Sequence, residues 1–119
     1  MNVFLSYSVG PSDFIPARLR AVSAAYSISL LLPDRTDTSP EPLKADTRAK
    51  ILQSDAVIGL VTISGRPESW NLVNNELRHA AQFHKPVIAL MEKPVQFQTT
   101  PAAHLVYFGR FNPTLTSRH

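Results

Sequence analysis

The chain has 119 residues, 44% of them hydrophobic, 12 Lys and Arg against 9 Asp and Glu, and no cysteine. That length supports one compact domain, since two would each be too small to bury a core. The composition excludes a disordered chain, a disulfide framework, a thiolate zinc site, an iron–sulfur cluster and a cysteine nucleophile.

The formal net charge of +3 does not come from a basic stripe. Lys and Arg are scattered from Arg18 to Arg118 and interleaved with acids, as in Asp34-Arg35. Nucleic acid is therefore not an expected partner. A mildly positive surface that tolerates anionic small molecules is expected instead. The longest apolar run, Ala56 to Val61, is far too short to cross a bilayer. The chain opens directly on a strand-like run with no basic n-region, which points to a cytoplasmic protein.

Residues 2–7, where Val3, Leu5 and Tyr7 alternate with Phe4 and Ser6, read as a strand buried on both faces. Asp13 is placed to cap a helix over 13–26, with Pro16 tolerated in its first turn and Ile15, Leu19, Val22 and Tyr26 on one face. Ile28 to Leu32 is a second short strand. The segment 33–42 carries three prolines and reads as a surface loop long enough to be functional.

Leu43 to Gln53 has helical spacing at Ala45, Ala49 and Leu52. Ala56 to Thr62 is the clearest central strand. A turn over 64–68 leads to a strong helix from about Ser69 or Asn71 to Phe83, with Trp70, Val73, Leu77, Ala80, Ala81 and His84 on one side. Residues 86–91 form a fourth strand and 105–108 a weaker fifth. The tail from Gly109 reads as polar and loose.

Strands alternating with helices predict an α/β fold with a parallel sheet. Five strands suggest the flavodoxin-like order 2-1-3-4-5 with helices on both faces, the final helix short or missing and part of one sheet face bare. Ligands of such sheets bind beyond the carboxyl ends of the strands, at the switch point between strands 1 and 3. That edge is expected to hold Ser6-Tyr7-Ser8, the 33–42 loop and the 63–70 turn.

Several motifs are absent. Four unclustered glycines exclude a dinucleotide fingerprint or a P-loop, and there is no nucleophile elbow. His79 and His84 are five apart, the wrong spacing for a helical metal pair, so no metal is expected. The ends of strands 1 and 3 hold Ser6-Tyr7-Ser8 and Thr62-Ile63-Ser64, which does not suit an aspartyl phospho-acceptor.

The order of elements resembles a Toll/interleukin-1 receptor (TIR) domain over roughly residues 2–110. The resemblance rests on Val3-Phe4-Leu5-Ser6-Tyr7 opening the chain, Asp13-Phe14 at the first helix, and the Pro-rich loop after strand 2. It continues in Lys50-Ile51-Leu52-Gln53-Ser54-Asp55-Ala56-Val57-Ile58-Gly59-Leu60-Val61, similar to the family's I-x-x-S-x-x-x-I-x-x-x-S run. Ser69-Trp70, Asn75-Glu76-Leu77, Ala80 and Lys85-Pro86-Val87-Ile88 complete it. The short bacterial antiphage-defence TIR proteins are the members it is most similar to.

The resemblance implies cleavage of NAD⁺ at the nicotinamide–ribose bond, with NAD⁺ as substrate rather than resident cofactor. It places the essential glutamate at Glu76 and stacking aromatics at Tyr7 or Trp70. Ser8 and Ser69 are further substrate contacts, and Asp34 and Arg35 belong to the loop that gates the site and joins protomers. It further implies a homo-oligomer or a partner effector protein. Trp70 and Glu76 are six residues apart where the family has four. Two other readings stay open: a TIR-like assembly module without turnover, and a nucleoside deoxyribosyltransferase-like enzyme.

Overall fold

The structure, a computed structural model, describes residues 1–34, 43–96 and 98–110. Its elements are β1 (Asn2–Ser8), α1 (Ile15–Ala25), β2 (Ser29–Leu31), α2 (Ala45–Gln53), β3 (Ala56–Val61), a 3₁₀ turn (Pro67–Ser69), α3 (Trp70–Gln82), β4 (Val87–Glu92) and β5 (His104–Phe108). The five strands form one all-parallel sheet in the order β2-β1-β3-β4-β5, as the alternating pattern predicts.

Alternation along the strands divides the core in two. Phe4, Val57, Val61, Val87, Ala89 and Met91 pack under α2 and α3 with Ile51, Val73, Leu77 and Ala80. Val3, Leu5, Leu30 and Leu60 face the other way, against Ile15 and Leu19 of α1. The second layer is thin. No residue of α1 is buried, and Val22 and Tyr26 are exposed. The helix meets the sheet along Ile15, Leu19 and Ser23, which rotates Val22 off the contact.

The stripe expected on α2 is also shifted. Ala45, Ala49 and Leu52 are exposed, and the buried face is Thr47 and Ile51. Alanine is a weak marker of an inner face, because burying a single methyl contributes little.

Both α1 and α3 end in the same way. Ser27 and His84 adopt left-handed conformations (φ 60° and 61°). Beyond each, the amides of the next turn return to the last carbonyls, Ile28 to Ser23 (2.9 Å) and Lys85 to Ala80 (3.0 Å). This is the Schellman ending, made here without glycine.

A row of small side chains crosses three strands at one register: Ser6 opposite Gly59, and Gly59 opposite Ala89. It forms a trough that admits α3. A methyl at Gly59 would stand 2.6 Å from Leu77 Cδ1. Gly65 is equally constrained, since a Cβ there would collide with the Ser8 carbonyl. Gly65→Ala is expected to cost about 1–3 kcal/mol in urea unfolding. Gly109→Ala, which meets open space, is expected to stay within about 0.5 kcal/mol of the parent. Equal midpoints for the two would refute this account of the turn.

Among the described residues no helix follows β5. Leu105, Val106 and Tyr107 on that edge strand are exposed, so part of the sheet is uncovered. The tail does not run loose from its start, because Arg110 is pinned at the carboxyl edge of the sheet, as described below. No described helix is long and apolar enough to cross a membrane.

Candidate functional site

The carboxyl edge of the sheet carries two polar clusters, one on each side. On the α3 side, Glu76 projects from the inner face of its helix and is 1% exposed. Sequence spacing puts it at the border of the apolar stripe. The Ser6–Gly59–Ala89 trough draws that border onto the sheet. There Ser6 Oγ donates to Glu76 Oε1 at 2.6 Å, inside the core. Ser6 is thus a partner of the buried carboxyl group.

One step nearer the edge, Ser8 Oγ and Ser69 Oγ share a hydrogen bond. Ser69 Oγ also donates to the Arg66 carbonyl at 2.8 Å. Ser8 and Ser6 are two residues apart on one strand face, about 6.6 Å at the usual rise. The serine pair therefore lies nearer the carboxyl edge than the Ser6–Glu76 bond.

The other predicted site residues distribute unevenly. Ser8 and Ser69 are bonded to each other, and Glu76 is bonded to Ser6, two residues before Ser8 on the same strand face. Tyr7 is on the opposite strand face, half-buried against the α1-side core. Trp70 is the first residue of α3, with Ser69 as the N-cap, and packs against the α3-side core. Of the two expected starts the structure takes the earlier, with the indole on the first residue of the helix. Asp34 is exposed, and its amide reaches the Asp46 carboxylate at the start of α2 (3.4 Å). Arg35 and the rest of 35–42 lie outside the described residues.

On the α1 side, three charged residues far apart in sequence converge. Arg110 donates through Nη1 and Nη2 to the two oxygens of Asp13 (2.8 and 2.9 Å). It donates through Nε and Nη2 to those of Glu92 (2.6 and 2.7 Å). The Ser64 hydroxyl and the Ile15 amide complete Asp13, at 2.6 and 3.0 Å. The Ile63 amide completes Glu92 at 3.0 Å. The predicted cap is displaced by one residue: Asp13 accepts from the Ile15 amide, but Phe14 is the N-cap of α1 and the main partner of Asp13 is Arg110.

Hydrogen bonds from Arg110 hold both carboxyls below the usual carboxylate range, against the opposing effect of burial. The same contacts raise Arg110 above its ordinary value. Sequence reasoning missed this cluster. The available signal was Glu92, an acid ending an apolar strand whose carboxyl end meets the β1–α1 loop.

Beside the cluster, at the switch point between β1 and β3, lies a cavity of about 660 Å³ bounded by the Gly10–Ile15 loop, Arg18, Ser64 and Arg110. It lies in the predicted crevice, but Glu76 does not line it. Among the described residues no three His, Cys, Asp or Glu side chains are grouped to hold a metal. No protein-family model matches the chain, and no curated protein matches its sequence.

Proposed function

We propose that this protein is a TIR-like NAD⁺ nucleosidase or ADP-ribose cyclase of bacterial immune signalling, acting in the cytoplasm, with Glu76 as its catalytic carboxylate. The observation that carries the reading is the Glu76–Ser6 bond, buried beneath the carboxyl ends of the two central strands. A carboxyl group is seldom buried this fully.

The chemistry asks for one anion. Nicotinamide departs as a neutral molecule from a cationic pyridinium, so its release needs no proton. The bond from the ribose C1′ to the ring nitrogen breaks, its electron pair leaving with nicotinamide. An oxocarbenium-like centre develops, as in glycoside hydrolysis. A carboxylate in a water-poor setting stabilises that charge more strongly than it would in bulk water. Water then adds to C1′ and loses a proton, or a nucleophile within ADP-ribose closes the ring. In this reading the Ser8 and Ser69 hydroxyls part from one another and turn to the ribose hydroxyls as substrate enters.

Nicotinamide release from NAD⁺, followed by chromatography at high protein concentration, tests the proposal. The parent chain is expected to turn over and a Glu76 variant is not. Turnover unchanged by loss of Glu76, or no turnover by the parent at any concentration, would overturn it.

A second reading, assembly without turnover, has one specific observation in its favour. β5 is an edge strand whose Leu105, Val106 and Tyr107 are exposed and uncharged, the kind of edge that other chains pair with. Val106→Lys is expected to lower the weight-average mass in sedimentation at high concentration. Identical sedimentation of the two chains would remove the edge from any assembly.

A further inference from the structure

The cavity on the α1 side has a chemistry of its own, separate from Glu76. Every oxygen of Asp13 and Glu92 is already bonded, to Arg110, Ser64, Ile15 or Ile63. Those carboxylates have no strong bond left to offer an incoming cation. Arg110 is likewise spent on the two acids. What faces the cavity unspent is Arg18, whose guanidinium makes no ion pair among the described residues.

Phe14 stands beside it on the cavity wall, 74% exposed. A phenyl ring so placed leaves apolar surface in water that a flat partner would cover. The volume suits a small ligand, and the position is where sheets of this topology bind one.

From this juxtaposition of an unpaired guanidinium, an uncovered phenyl ring and a cavity at the strand switch point, we propose that the site binds a small anion carrying a flat aromatic ring, of the nucleoside monophosphate class. The phosphate pairs with Arg18, whose planar fork suits two phosphate oxygens, and the base stacks on Phe14. The Asp13–Arg110–Glu92 cluster acts as the rigid wall that holds the β1–α1 loop in place.

AMP is the probe, read by amide chemical shifts of the isotope-labelled full chain, with adenosine and ribose 5-phosphate as the two halves. AMP carries no nicotinamide bond, so its binding is read independently of any cleavage at Glu76. AMP is expected to shift the amides of Gly10, Ser12, Phe14 and Ser64, and each half is expected to bind about tenfold more weakly. Arg18→Gln is expected to reduce AMP affinity about tenfold and leave adenosine unaffected. Phe14→Leu is expected to weaken AMP about fivefold and leave ribose 5-phosphate unaffected. Arg20→Gln removes the same charge from the same helix, outside the cavity, and is expected to change nothing. AMP shifts confined to other amides, or equal AMP affinity in Arg18→Gln and Arg20→Gln, would overturn the assignment.

Discussion

Glu76→Gln is expected to fold as the parent does and to lose at least about a hundredfold in nicotinamide release from NAD⁺. The amide keeps the shape of the carboxyl group and an oxygen that accepts from Ser6 Oγ, so the trough beneath α3 stays filled. What it removes is the negative charge that the oxocarbenium-like transition state requires. Glu76→Ala makes a different demand. It opens a cavity in a site that is 1% exposed and leaves the Ser6 hydroxyl unmatched, at about 2 kcal/mol or more. Inactivity in the alanine variant alone could thus reflect unfolding, and the glutamine variant separates charge from shape. A glutamine variant with parental turnover would show Glu76 to be structural only. Ser6→Ala supplies the complementary reading, because it retains the charge but frees its orientation.

Arg110→Met is expected to destabilise the fold by about 2 kcal/mol at neutral pH. Breaking a fully buried pair costs about 3–5 kcal/mol, and Arg110, whose side chain is 34% exposed, is partly screened. The larger effect is on the form of the pH profile. In the parent, Arg110 depresses Asp13 and Glu92 in the folded state. Their stabilisation is therefore complete above the unfolded carboxyl values near about 4 and lost as pH falls below them. Without the guanidinium the largest cause of that depression is gone, and burial opposes what the Ser64, Ile15 and Ile63 hydrogen bonds still supply. The variant is therefore expected to lose less stability than the parent as the solution is acidified below about pH 5. Urea midpoints across that range check it, and parallel profiles for the two chains would show that the cluster contributes nothing.

The strands were legible because each is a short, β-branched or aromatic run bounded by turn residues, and a buried parallel strand needs little more than that. The helices were legible as helices but less so in their rotation. α3 has enough large apolar residues to define its inner face, and Val73, Leu77 and Ala80 are buried there. α2 has one, Ile51, and the alanines that seemed to extend its stripe are exposed, while Thr47 is inside. α1 gave a regular stripe that the sheet covers only in part, because β2 beneath it is three residues long.

Function sits one level further from the sequence. Glu76 can be marked from the chain by resemblance, but its partner cannot. Ser6 is seventy residues away, and the two meet because Ser6, Gly59 and Ala89 fall on one register of three strands. The Arg110 cluster spans ninety-seven residues and joins a loop, a strand end and the chain beyond β5. The resemblance marks Tyr7 and Trp70 as stacking aromatics, yet Tyr7 lies on the other face of the sheet from Glu76 and Trp70 packs, partly buried, against the α3-side core.

The amino-acid order alone determined the α/β class, the five strands and their sequence 2-1-3-4-5, since periodicity and crossover geometry act over a few neighbouring residues. The tertiary structure decided which polar groups are buried and with whom. Burial depends on strand register and on how closely α3 can approach, and both emerge only when distant segments compete for the same space.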